Sequence, residues 1–190
     1  MNLTFANKVT IGRILTIPFF IVTILYYTPE KEYLRYLALG IFFIAVITDA
    51  VDGYIARTHR QKTKAGAILD PLADKLLLIS AFLSLYKVGH LLGGITFPLW
   101  FVLAVISRDI ILLIGSMIIY IIKRRLEVSP TQWGKATTCF QIFCIFGVLL
   151  QWNFSPLLWY AAATLTIISG LGYIRSGIKV LNVAFDQTHF

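Results

Sequence analysis

No charged residue interrupts the chain between Lys135 and Arg175, and four further long apolar runs precede that stretch. A continuous apolar run of about 20 residues is the length of a helix that crosses a bilayer. The runs separate at charged or turn-forming clusters and predict spans over residues 9–27, 36–56, 67–86, 95–122, 136–152 and 157–174. The last two need a break, and Gln151-Trp152-Asn153-Phe154-Ser155-Pro156 has the polar residues and proline of a short turn. The fourth run is long enough to tilt or to project beyond the membrane.

Composition agrees with this pattern. Hydrophobic residues make up 58% and charged residues 14% of the chain, with a mean hydropathy of +0.79, whereas about a quarter of the residues of a soluble domain are charged. The expectation is an all-α integral membrane protein of about six transmembrane helices, with residues 1–190 forming a single membrane domain. The first run follows Lys8 as a signal peptide would. It contains Pro18, extends to Tyr27 and lacks a clear small-residue cleavage site, so it is predicted to be a retained helix.

Lys and Arg residues divide unevenly between the ends of these runs. One set of ends holds Lys8, Arg57, Arg60, Lys62, Lys64, Lys123, Arg124, Arg125, Lys135, Arg175 and Lys179; the other holds Lys31, Arg35 and Lys87. The positive-inside rule places both termini and the two basic loops in the cytoplasm. The same bias accounts for most of the formal charge of +8. Because these charges sit at membrane boundaries rather than along a soluble face, no nucleic-acid partner is expected. Cys139 and Cys144 share one predicted helix and read as packing residues.

Against this apolar background stand four aspartates, Asp49, Asp52, Asp70 and Asp74. Each would cost roughly 2.5–3.5 kcal/mol at the centre of a membrane helix, so a cluster of four needs a compensating partner. Asp49 and Asp52 are three residues apart and Asp70 and Asp74 four apart, spacings that share a helix face. A reversal at residues 58–63 would set the two helices antiparallel and point the carboxylates into one pocket. Oxygen donors without Cys or His favour a hard cation, Mg²⁺, Mn²⁺ or Ca²⁺, of the kind that bridges carboxylates and substrate phosphates. Gly53, Ala56 and Gly66 would leave room for a nucleotide or diphosphate, and Arg57 offers a fork of phosphate donors or else marks the cytoplasmic helix end.

The full pattern is Asp49, two residues, Asp52-Gly53, two residues, Ala56-Arg57, eight residues, Gly66, three residues, Asp70, three residues, Asp74. It resembles the signature of the CDP-alcohol phosphotransferase family at every specified position. Asn7 to Arg13 is similar to that family's amino-terminal helix. Leu69 to Lys75, Ser107-Arg108-Asp109, Gly134-Lys135 and Ile168-Ser169-Gly170 are similar to its phosphatidylglycerophosphate synthase and cardiolipin synthase branch.

The resemblance implies a six-helix membrane enzyme of phospholipid biosynthesis, usually a homodimer, in a bacterial-type inner membrane with its active site on the cytoplasmic side. By position, Asp49, Asp52 and Asp70 would hold Mg²⁺ or Mn²⁺ and the CDP diphosphate. Asp74 would join the metal site and act as general base, and Gly53, Ala56, Arg57 and Gly66 would line the CDP site. The reaction would transfer a phosphatidyl group from CDP-diacylglycerol to a hydroxyl of a glycerol-based acceptor, releasing CMP.

Arg108, Asp109 and Lys135 are the implied acceptor-binding residues; alternatively, Arg108 pairs with Asp109 or another buried acid to hold helices together. Many phosphatidylglycerophosphate synthases carry Arg-Glu where this chain has Arg108-Asp109, and a second Arg where it has Ser116. The departure looks more like cardiolipin synthases, so glycerol 3-phosphate and phosphatidylglycerol both remain expected acceptors. The alternatives are another acceptor of the family such as an inositol phosphate, or a cation or proton transporter built on paired intramembrane aspartates. His59 reads as a solvated or headgroup contact, and Trp100, Trp133, Trp152 and Trp159 as interfacial residues.

Overall fold

The computed structural model describes residues 5–58, 66–123 and 132–186, with the backbone alone described for residues 5–10, 52–58, 66–71, 116, 118–123, 132, 174 and 176–186. Among the described residues there are six α-helices: α1 (Phe5–Leu25), α2 (Tyr33–Thr58), α3 (Gly66–Val88), α4 (Leu99–Lys123), α5 (Gln132–Leu149) and α6 (Ser155–Asp186). One-turn 3₁₀ helices at Pro29–Lys31 and Gly89–Leu91 lie between them. The expected reversal at residues 58–63 falls almost wholly outside the described residues, as do His59 and the basic residues Arg124 and Arg125.

Each predicted span corresponds to one helix, and the ends differ for local reasons. α4 begins at Leu99 rather than at Ile95, because Pro98 lacks an N–H and pushes Phe97 out of the helical region. α6 continues past Arg175 to Asp186; charge ends an apolar run but leaves the helical hydrogen-bond ladder intact. The break before α6 is a helix stop in which Gln151 takes the left-handed conformation, φ 55°. The Trp152 N–H donates to the Gly147 carbonyl at 2.9 Å and the Gln151 N–H to the Val148 carbonyl at 3.1 Å. This paired arrangement satisfies carbonyls that the end of α5 would leave unmatched.

Two segments, Tyr33–Val51 and Ser155–Tyr173, are long and apolar enough to cross a membrane by length and composition. Ile44 is 65% and Leu157 71% exposed, and apolar side chains presented so fully outward on helices that are also apolar inward suit a lipid surround.

The chain divides into two compact units. The first comprises Met1–Pro98 with Ile145–Asn153. Within it α1 packs against both α2 and α3. Phe20 meets Phe42 at 5.8 Å between ring centroids, and Phe42 meets Phe146 edge-on at 5.4 Å. Ala38 and Ala45 on α2 and Ala73 and Ala81 on α3 are buried, and small residues of this kind let helix backbones approach closely. Arg35, itself buried, pairs with Glu32 at 2.5 Å and donates to the Leu149 carbonyl at 3.3 Å. A cation at that position matches both the orphan carbonyls and the dipole at the carboxyl end of α5.

The second unit comprises Leu99–Cys144 with Phe154–Phe190. Here α4 packs against α6. The Tyr173 hydroxyl donates to the Leu112 carbonyl at 3.3 Å, and a Cβ built on Gly115 would lie 2.8 Å from the Tyr173 oxygen, so the ring occupies the space that glycine leaves. The Thr137 hydroxyl reaches the Leu165 carbonyl at 3.2 Å, joining α5 to α6.

Candidate active site

Buried stripes on the first three helices run toward one charged point. On α1 the residue seven before Phe20 is Arg13; on α2 the residue seven after Phe42 is Asp49; on α3 the residue seven before Ala81 is Asp74. Phe20, Phe42 and Ala81 are fully buried, and a seven-residue step returns to nearly the same helix face. The same faces that pack the apolar core therefore bring a guanidinium and two carboxylates together where the three helices meet.

Arg13 binds both acids. Its Nη2 lies 2.5 Å from Asp49 Oδ1, and its Nη1 donates to Asp74 Oδ1. The Arg13 side chain is 4% exposed, against 44% for Asp49 and 37% for Asp74. The cation thus approaches from the interior while the carboxylates keep an accessible side. Among the described side chains, one guanidinium meets two carboxylates there, and the acceptor atoms they offer are carboxylate oxygens. That chemistry suits a hard divalent cation such as Mg²⁺ or Mn²⁺ better than zinc, whose sites are richer in Cys and His.

Of the four signature aspartates, the described side chains bring Asp49 and Asp74 to a common partner. Asp52 lies on α2 one turn beyond Asp49 and Asp70 on α3 one turn before Asp74. Gly53, Ala56 and Arg57 occupy the last turns of α2, and Gly66 opens α3. The side chains of Asp52, Ala56, Arg57 and Asp70 lie outside the described set. Among the described residues, no group of three His, Cys, Asp or Glu side chains is placed to hold a metal ion.

The residues expected at the acceptor site lie in the second unit. Arg108 and Asp109 on α4 are buried, Asp109 completely. Arg108 Nη1 donates to Asp109 Oδ1 at 2.7 Å and Nη2 to the Ser169 hydroxyl on α6 at 2.6 Å. The guanidinium therefore links α4 to α6, the structural pairing anticipated as its alternative role. Its Nε is buried without a hydrogen-bond partner. Lys135 is exposed on the first turn of α5.

Arg13 is the site residue that the signature does not specify. Its signal was a lone cation inside the first apolar run, where an intramembrane charge marks a functional position and needs a partner.

A family model described as CDP-alcohol phosphatidyltransferase matches residues 3–168. The chain is 35% identical to a CDP-diacylglycerol–glycerol-3-phosphate 3-phosphatidyltransferase of Haemophilus influenzae, over 87% of this chain and 89% of that protein. Proteins of the same description from Aquifex aeolicus and Bacillus subtilis are 33% and 30% identical. The first comparison covers 92% of this chain and 96% of the relative, the second 94% and 97%.

Proposed function

This chain belongs to the CDP-alcohol phosphatidyltransferase family, and from that premise we propose that it transfers a phosphatidyl group from CDP-diacylglycerol to a hydroxyl of glycerol 3-phosphate, releasing CMP. The observation that carries the reading is the meeting of Asp49 and Asp74 on one guanidinium, since these are the first and last positions of a signature split between two helices. The acceptor follows from the relatives, which are described as acting on glycerol 3-phosphate. Asp109 and Ser116, which left phosphatidylglycerol as an equal expectation, weigh less than that agreement.

Asp49, Asp52, Asp70 and Asp74 would hold Mg²⁺ or Mn²⁺, which when bound would offset charge on the donor's diphosphate and on the departing CMP. Gly53, Ala56, Arg57 and Gly66 line the nucleotide site, with Arg57 supplying phosphate donors. Asp74 takes the proton of the acceptor hydroxyl as that oxygen bonds to the phosphorus of the phosphatidyl group and the bond to the CMP oxygen breaks. Arg13 orients the Asp74 carboxylate through Oδ1. Arg108, Asp109 and Lys135 serve the acceptor.

All six helices cross the membrane as one catalytic domain that works as a homodimer, with both termini and the aspartates on the cytoplasmic side of a bacterial-type inner membrane. The distribution of Lys and Arg supports that orientation, and the family resemblance supports the dimer.

Incubating the purified protein with CDP-diacylglycerol and either glycerol 3-phosphate or phosphatidylglycerol, and weighing the lipid product by mass spectrometry, tests the reading. Phosphatidylglycerophosphate is the expected product. Cardiolipin alone would overturn the acceptor, and no CMP release with any acceptor of the family would overturn the activity.

A further inference from the structure

Resting on the reading that the aspartates hold a cation, we propose that Arg13 competes with that cation for Asp49 and Asp74 and so sets how tightly the site binds it. The guanidinium engages Oδ1 of each acid, one through each terminal nitrogen. A divalent ion ligated by the same two carboxylates would draw on the same negative charge. It would also face a like charge within a few ångströms, where screening by water is incomplete because the Arg13 side chain is 4% exposed.

The direction of approach makes the competition possible. Arg13 reaches the acids from inside the helix packing, while both carboxylates retain an exposed side from which an ion can arrive. The buried Nε of Arg13 has no hydrogen-bond partner, so the guanidinium is held by its two terminal nitrogens rather than by a full set of donors. Cation and guanidinium thus contend for the charge of the same carboxylates. Arg13 acts as a positioning residue that keeps the two acids together and limits the affinity of the site.

The test is Mn²⁺ binding to the full-length protein in detergent, read by electron paramagnetic resonance, for the parent, Arg13→Gln and Arg13→Lys, each checked for helical content. Arg13→Gln is expected to bind Mn²⁺ tenfold or more tightly than the parent, with Arg13→Lys between them because a point charge bridges two acids less well. By linkage, Mn²⁺ should raise the melting temperature of Arg13→Gln more than that of the parent. Unchanged or weaker Mn²⁺ binding in a folded Arg13→Gln overturns the proposal, since a purely structural role would lower the melting temperature and leave affinity alone. Should Arg13→Gln fail to fold, Arg13→Lys decides: tighter binding than the parent supports competition and equal or weaker binding overturns it. Absence of Mn²⁺ binding in every form overturns both this inference and the cation reading, whereas binding by the parent without a gain in the variants overturns this inference alone.

Discussion

Arg108 and Ser169 face each other across α4 and α6 at 2.6 Å, and the same guanidinium holds the fully buried Asp109. Removing one member of a buried pair costs about 3–5 kcal/mol, while removing both can be nearly neutral. Arg108→Met should therefore lower the melting temperature sharply, and Arg108→Met combined with Asp109→Leu should recover much of the loss. A double variant less stable than the single one would show that Asp109 is held by other contacts.

The acceptor role of Arg108 is separable from this packing role. Arg108→Lys keeps the charge and loses the planar fork, so it is expected to raise the acceptor's KM about tenfold while the KM for CDP-diacylglycerol stays nearly constant. Steady-state titration of each substrate decides the matter. An equal change in both constants would assign Arg108 to helix packing alone.

Asp74→Asn preserves size and polarity but cannot take a proton. Turnover is expected to fall by roughly 10²–10⁴-fold with CDP-diacylglycerol binding largely retained. Asp49→Asn should weaken donor binding as well as turnover. Near-normal turnover in Asp74→Asn would remove it as the base.

The sequence made Asp49 and Asp74 legible as partners because three- and four-residue spacing plus a reversal can be read without coordinates. Arg13 was not legible as their counter-cation. Its distance from Asp74 along the chain is bridged only by helix packing, and the signature begins well after it. Helix existence followed from apolar length, whereas the start of α4 depended on Pro98 and the end of α5 on the left-handed turn at Gln151, where a residue other than glycine carries the positive φ. Composition is blind to both of these local backbone effects.

Chelation should abolish CMP release, and Mg²⁺ or Mn²⁺ should restore it, because the donor's diphosphate would otherwise be repelled by the aspartates. Activity is measured before and after excess chelator. Full activity in chelator would exclude a required cation.

Gly115 and Tyr173 provide a packing test away from the chemistry. A methyl group at Gly115 would press on the Tyr173 hydroxyl at 2.8 Å and on its ring at 2.9 Å, and overpacking of this kind costs about 1–3 kcal/mol. Gly115→Ala should melt below the parent despite the gain of about 1 kcal/mol in helix propensity. Gly40→Ala, where a Cβ would meet nothing within 4 Å, should melt no lower than the parent.

The apolar side chains around the Arg13 cluster carry a consequence for how a substrate arrives. Leu15 on α1, Ile47 and Val51 on α2, and Leu72 and Leu76 on α3 are all exposed, so greasy flanks lie within a turn or so of the two carboxylates. A molecule with acyl chains at one end and a diphosphate at the other can keep its chains dissolved in the leaflet while its headgroup meets the acids. Its search is then lateral diffusion in two dimensions, with no step in which hydrocarbon crosses water.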